Sequence, residues 1–311
     1  MNNMKYLVTG GAGFIGSHLV ESLLNDKYNI IVIDDLSSGF KENIPDLPKN
    51  KLMIEKVQKV SIEQIGSIDG IFHLAAQASV PISIDDFYAS STNNLNSSLK
   101  VWDIAKRLQI PVVYASSSAV YGNLPMGNDE DENVEILSPY AQDKLTMEDY
   151  ARMCGDIYKI PSAGLRFFNV YGPRQDPLNP YSGVISIFID RLLNKMPVSI
   201  NGGHQTRDFI YVDDVVKIIY QAMSLLNDKQ DTLIFNVGTG TSTTINNLLE
   251  LCIDIIGFTP KVINKPLQKS DPVKSMGSYT KMQSILDIDL KEFIKIEDGL
   301  IKTIKYFKDV S

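Results

Sequence analysis

Apolar and polar positions along the chain follow two alternating periods. KYLVTG (5–10) reads as a strand, and FIGSHLVESLLND (14–26) follows with apolar residues at 15, 19, 20, 23 and 24, the spacing of one helix face. IIVIDD (30–35), LMIEKV (52–57) and GIFHLAA (70–76) predict further strands, TNNLNSSLKVWDIAKRL (92–108) a helix, and IPVVYASSS (110–118) another strand. PYAQDKLTMEDYARMCGDIY (139–158) predicts a long helix with proline at its start, where the missing N–H costs nothing. SAGLRFFNVYG (162–172) predicts a strand. Repeated β-α-β-α units imply an α/β fold, a doubly wound parallel sheet with helices on both faces.

Beyond residue 172 the pattern changes. GPRQDPLNPYSG (172–183) is a polar loop, followed by a helix (184–195) and a short strand, VSI (198–200). Strand and helix resume in RDFIYVDDVVKIIYQAM (207–223) and LIFNVGTG (233–240), and helices are expected at 243–257 and 298–308. No repeat, low-complexity tract or clean linker separates these parts. The expected organisation is therefore a larger α/β domain over 1–172, completed by about 207–240, with a smaller interleaved lobe from 173–206 and 241–311.

Composition narrows the partners. The 311 residues are 44% hydrophobic and 22% charged, as in ordinary globular proteins. A net charge of −7 argues against nucleic-acid binding by bulk charge. Cys154 and Cys252 lack metal or CxxC spacing and read as core thiols of a reducing compartment. His18, His73 and His204 are scattered, so no metal site is expected. No run of ~18 apolar residues and no leader-like segment is visible, so the expectation is cytoplasmic, without a membrane partner.

The candidate chemistry starts at VTGGAGFIGSH, where Gly10, Gly13 and Gly16 lie between a strand and a helix. Gly10 permits a tight turn, Gly13 lets a backbone amide approach a pyrophosphate, and Gly16 lets the helix pack closely. The helix N-terminus offers amides and partial positive charge to an anion. Asp34, at the end of the next strand, can accept hydrogen bonds from both adenosine ribose hydroxyls and would repel a 2′-phosphate, which favours NAD over NADP. Tyr140 and Lys144 fall at i and i+4 on one helix face. An ammonium beside a phenol, together with a positive nicotinamide, is expected to lower the phenol's pKa toward use as a base. The serines of ASSSAVYG (115–122) either meet solvent at a strand end or aim hydroxyls at a ligand.

The GxxGxxG spacing resembles the short-chain dehydrogenase/reductase family, in which a serine or threonine, a tyrosine and a lysine act together. The resemblance implies an NAD-binding Rossmann domain with Ser117, Tyr140 and Lys144 as the catalytic set. It places the cofactor against Gly10, Gly13, Phe14, Ile15, Gly16, Asp34, Asp35, Leu36, Ser37 and Gly39. It adds Val57 and Gln58, then Leu74, Ala75, Ala76 and Gln77 of HLAAQASV, then Asn94, Ser116, Tyr140, Lys144 and Phe167. Val57 stands where the family has an adenine-contacting aspartate, which leaves adenine to the backbone of Val57 and Gln58.

LRFFNVYGPRQDP (165–177) and VSINGGHQTRDFIYVDDVV (198–216) resemble the extended, nucleotide-sugar branch, the UDP-hexose 4-epimerases. That resemblance implies a UDP-sugar substrate, with Asn169 and Arg207 at its diphosphate and Asp271 at its ribose. Further contacts would come from Ser79, Ser117, Ser118, Tyr140, Gln175, Gly183, Val184, Ser199, Ile200, Asn201 and Ser275. Gln268 replaces a family arginine, with Lys269 as an alternative charge. Dehydratases of the branch carry Asp and Glu where this chain has Ser118 and Ala119, and neither can do acid–base work near neutral pH. The implied reaction is C4 epimerisation through a 4-keto sugar. Ser275, small where plain-hexose epimerases carry tyrosine, points to UDP-N-acetylglucosamine/UDP-N-acetylgalactosamine. UDP-glucose or UDP-glucuronate 4-epimerase remain alternatives, as do a net oxidoreductase and a cofactor-bound module without turnover. A homodimer paired near 92–108 and 140–158, with Cys154 near that surface, is also implied.

Overall fold

The computed structural model describes residues 4–131, 133–178, 183–228, 231–267 and 271–310. In chain order the first elements are β1 (Lys5–Thr9), α1 (Phe14–Asn25), β2 (Asn29–Ile33), β3 (Leu52–Met53), α2 (Ile62–Ile65) and β4 (Gly70–His73). Next come α3 (Val80–Asp85), α4 (Phe87–Leu108), β5 (Val112–Ser117), α5 (Pro139–Tyr158), β6 (Ser162–Phe167) and β7 (Asn169–Tyr171). Then follow α6 (Val184–Leu193), β8 (Val198–Asn201), β9 (Thr206–Tyr211), α7 (Val212–Asp228), β10 (Thr232–Val237) and β11 (Ser242–Thr244). The last are α8 (Ile245–Ile256), β12 (Val262–Lys265), β13 (Lys274–Ser275), α9 (Thr280–Leu286) and α10 (Ile296–Val310).

The chain divides into two compact units. The first comprises 1–117, 138–166 and 215–235; the second comprises 118–137, 167–214 and 236–311. The first unit is built on a seven-stranded sheet in the order β10-β6-β5-β4-β1-β2-β3. β1 pairs in parallel with β2 on one side and β4 on the other, so the strand order reverses there. The crevice at the carboxyl ends of two such strands is where open α/β sheets bind ligands. The strands are buried on both faces, which explains their near-continuous apolar runs. Leu7, Ile33, Ile71 and Val112 pack with Val101, Trp102 and Ile104 of α4 and with Met147 and Ala151 of α5.

In the second unit β9 is central. β11 pairs with it antiparallel, and β13 and β7 pair with it in parallel. β8 and β12 form a separate parallel pair, and α6, α8 and α10 pack together.

Several expected boundaries move. Only Leu52–Met53 of 52–57 is strand, because Val57 and Val60 bury together at a spacing of three around a 3₁₀ turn, not at the strand's spacing of two. The segment 162–172 splits at Phe168, with β6 in the large sheet and β7 on β9. Helix α4 starts earlier than residue 92, at Phe87, where the Asp86 carboxylate caps the Ala89 amide. Residues 118–137 fall in the second unit rather than with 1–172. Their bonds lie there: Gly127 donates to the Met276 carbonyl and Asn236 to Asp129. The first unit is completed by 215–235 rather than 207–240, since β9 belongs to the second sheet. Cys154 is buried in the core cluster with Met147 and Ala151, and both thiols are free. No helix among the described residues is long and apolar enough to cross a membrane.

Candidate active site

The turn after β1 is held open by its neighbours. Gly10 has φ of 70°, and a Cβ there would lie 2.7 Å from the Ala75 amide nitrogen, so the loops after β1 and β4 touch backbone to backbone. A Cβ on Gly16 would sit 2.0 Å from the Gly10 carbonyl oxygen, which makes glycine the price of packing α1 this close. No side chain caps α1, so the first-turn amides of Phe14 and Ile15 remain for a bound anion. Asp34 accepts the amides of Ala12 and Leu36, both at 2.9 Å, and burial raises its pKa. Asp35 accepts the Ser37 amide at 3.0 Å and hydroxyl at 2.6 Å, shaping a loop in which Leu36 has φ of 58°. Gly39 lies against Ala12, with Phe40 donating to the Ala12 carbonyl. This backbone-lined cradle, with an uncapped helix and a carboxylate at its edge, fits a dinucleotide. The Val57 side chain is sealed in the core, so only backbone there can meet adenine, beside half-buried Gln58.

The loop after β4 is fixed by a directed chain of hydrogen bonds. The Ala75 amide donates to Thr9 Oγ1, which lies 2.7 Å from His73 Nδ1; His73 Nε2 is 3.2 Å from Ser98 Oγ, which donates to the Asn94 carbonyl. Since Ser98 donates onward, His73 carries its proton on Nε2 and accepts from Thr9. Burial pushes His73 down to about 3, so it is neutral. Asn94 was expected at the cofactor, but its side chain is committed elsewhere. It accepts the Gln77 amide at 2.8 Å and donates to the Gln77 carbonyl and to Asp143. It therefore fastens the loop bearing Leu74, Ala76 and Gln77 to α4 and α5. Ser79 caps α3 through its hydroxyl oxygen.

Ser117 ends β5 and hydrogen-bonds Tyr140, whose amide donates to Ser83 at 3.1 Å. Lys144 Nζ lies 5.6 Å from the Tyr140 ring and donates to the Ala115 carbonyl at 2.6 Å. The expected catalytic set is thus assembled, with one correction. Burial raises the Tyr140 pKa, the Ser117 bond opposes this, and Asp143 adds to it. Loss of hydration is the largest of these effects. Lys144 itself is lowered by burial to about 8. Ser116, expected to line the cofactor, gives its hydroxyl to Glu148 instead.

In the second unit, Arg207 is buried and pairs with Asp271, and Ser275 lies beside it on β13. The carboxylate of Asp208, the next residue on β9, takes the Thr239 and Gly240 amides, the Thr239 hydroxyl and the Tyr279 hydroxyl. Asn169 on β7 donates to the Asp208 carbonyl, one register step from Arg207. Gln175 lies against Gly183, which precedes Val184 at the start of α6. On β8, Ser199 is exposed and Asn201 half-buried, but the Ile200 side chain points into the core, leaving only its backbone for a ligand. Ser118 opens a 3₁₀ turn. Gln268 and Lys269 lie outside the described residues. Thr9, His73, Asp143 and Asp208 escaped the sequence reading. The apolar flanks of His73 and Asp208 signalled only strands.

The profile of the NAD dependent epimerase/dehydratase family matches residues 6–238. The chain belongs to that family. Its cofactor is NAD, in agreement with the cradle at the β1/β4 switch point. The chain is 35% identical over 318 residues to UDP-glucose 4-epimerase of Mycolicibacterium smegmatis, covering 99% of this chain and 100% of that one. Among solved structures, UDP-N-acetylglucosamine 4-epimerase from Methanobrevibacter ruminantium, in complex with UDP-N-acetylmuramic acid, superposes with a TM-score of 0.91 at 35% identity, covering 100% of both chains. UDP-glucose 4-epimerase from Thermotoga maritima with UDP-glucose gives a TM-score of 0.91 at 36% identity, covering 99% of both.

Proposed function

We propose that the protein is a UDP-sugar 4-epimerase that prefers UDP-N-acetylhexosamines. The observation that carries this reading is the Tyr140–Ser117 hydrogen bond with Lys144 one helical turn away, beside Ser118 and Ala119. That set handles a proton at one sugar hydroxyl and offers no second acid–base pair for dehydration.

Tyr140 takes the proton from the 4-hydroxyl, and Ser117 holds that oxygen as it becomes a carbonyl. Bound NAD supplies reversible hydride exchange at C4. Tyr140 then returns the proton after the 4-keto sugar has presented its other face. Because the chain's own groups raise the phenol's pKa, Tyr140 depends on a positive charge beyond Lys144 to act as a base at neutral pH. Arg207 neutralises the diphosphate, for which its planar guanidinium suits bidentate contacts. Asp271, its present partner, exchanges that pair for the nucleotide ribose. Asn169, Gln175, Gly183, Val184, Ser199, Ile200 and Asn201 complete the nucleotide and sugar contacts, and Ser275 leaves room for a 2-N-acetyl group.

UDP-glucose is the second reading, favoured by the M. smegmatis and T. maritima relatives. The resemblance also supports a homodimer through α4 and α5, where Phe87, Tyr88, Leu99 and Ile157 are exposed. The test is to incubate the protein separately with UDP-GlcNAc, UDP-glucose and UDP-glucuronate, without added NAD, and to follow the C4 proton by NMR. Conversion of UDP-GlcNAc is expected. Conversion of none overturns the epimerase reading, and conversion of UDP-glucose alone overturns the role of Ser275.

A further inference from the structure

Helix α5 carries Tyr140, Lys144 and Glu148 at intervals of four, a single stripe on its buried face. Each grips the end of β5. Tyr140 meets the Ser117 hydroxyl, Lys144 donates to the Ala115 carbonyl, and Glu148 Oε1 accepts the Ser116 hydroxyl at 2.5 Å. From β6, the Arg166 guanidinium closes on the same carboxylate, Nε to Oε1 at 2.8 Å and Nη2 to Oε2 at 2.6 Å. Glu148 is 0% exposed, Ser116 2% and Arg166 3%, so the ion pair has lost its water. A desolvated pair of this kind is a poor source of stability compared with apolar packing. What it does provide is geometry. A slide of α5 along the sheet would break the bidentate Arg166 contact and the Ser116 bond together.

We infer that Glu148, clamped by Arg166 and Ser116, is a positioning residue for Ser117, Tyr140 and Lys144, holding the helix stripe in register with the strand end. The inference rests on the epimerase reading for its kinetic consequence. The charge of Glu148 acts as well as its bonds. Burial lowers Lys144 to about 8, and Asp143 and then Glu148 oppose that fall. The other groups facing this cluster are Tyr140 on α5, neutral His73 on β4, Tyr114 on β5, Arg166 on β6, and Arg152 at 3.9 Å from Glu148. Glu148 is thus one of two carboxylates that keep Lys144 an ammonium at neutral pH.

Glu148→Gln keeps the shape and removes the charge. In the holoenzyme, kcat is expected to fall about tenfold to a hundredfold with KM and bound NAD unchanged, the scale of a small misplacement at a reacting centre. The Lys144 titration midpoint, followed by NMR of isotope-labelled lysine and assigned with Lys144→Met, is expected below the wild-type value of about 8. Glu148→Asp should restore the midpoint but not the full kcat. An unchanged kcat or an unmoved midpoint overturns the inference. Should the wild type convert no UDP-sugar, the functional reading fails by itself, and the midpoint alone decides the part played by Glu148. If Glu148→Gln does not fold, Ser116→Ala removes only the β5 arm of the clamp. A lower kcat at constant NAD content then supports the inference, and a wild-type kcat overturns it.

Discussion

Tyr140 and His73 show how burial sets a side chain's chemistry. The buried Tyr140 phenol resists ionisation, since loss of hydration is the largest influence on it and the Asp143 charge adds to it. Tyr140→Phe should therefore leave NAD bound yet lower kcat by ~10²–10⁴, the usual worth of a positioned acid–base group; single-turnover assays and the absorbance of bound cofactor check both halves. His73 titrates at about 3 in the fold and at ~6.5 in an unfolded chain. Between those values the unfolded chain binds the extra proton. The stabilisation is present above ~6.5 and drains away as pH falls toward the folded value. Urea unfolding at pH 7 and pH 5 should show a smaller pH-dependent loss in His73→Asn than in the wild type. Ser117, at a strand end, was reached only through the family resemblance, whereas the Tyr140–Lys144 pair was legible in the sequence because it stands at helical spacing. The partners of Ser116 and Asn94 were not, because Glu148 and Asp143 are remote in sequence and nothing local marks them as buried.

At the scale of elements, the glycine turn shows why some local patterns read directly. The contact of Gly16 with the Gly10 carbonyl is set by neighbouring residues on one strand–turn–helix unit. Gly16→Ala must push α1 away from that oxygen, and loss of copurified NAD with a lower Tm is the expected outcome. β9 reads less directly. Its Asp208 gathers two amides and two hydroxyls from the 239–240 loop and from Tyr279. Asp208→Ala leaves those donors unpaired and should cost about 3 kcal/mol or more in urea unfolding. The overlong strand expected at 52–57, of which only Leu52–Met53 forms, has a related cause. Val57 and Val60 are apolar for the sake of α4, a distant element, and a short apolar run looks the same whatever covers it.

At the scale of the whole chain, neither unit is a continuous piece. The first needs 215–235, which supplies Ile218, Ile219, Ala222 and Met223 to its core and the edge strand next to β6. A fragment of 1–172 lacks all of these and should give poorly dispersed NMR spectra and no cooperative unfolding. The full chain with NAD at a hundred times its Kd should gain ~2.7 kcal/mol by mass action, readable as a rise in Tm. The sequence by itself determined the doubly wound sheet, the glycine turn and the placing of Tyr140 and Lys144 on one helix face, because each rests on a period or spacing within one element or between neighbours; Ser117 was singled out only by the family resemblance. Only the tertiary structure decided which serine faces Glu148, which carboxylate holds Arg207, and that Tyr140 is pushed away from ionisation. Those outcomes depend on which remote groups share a desolvated space, and burial is a property of the folded chain that no local pattern carries.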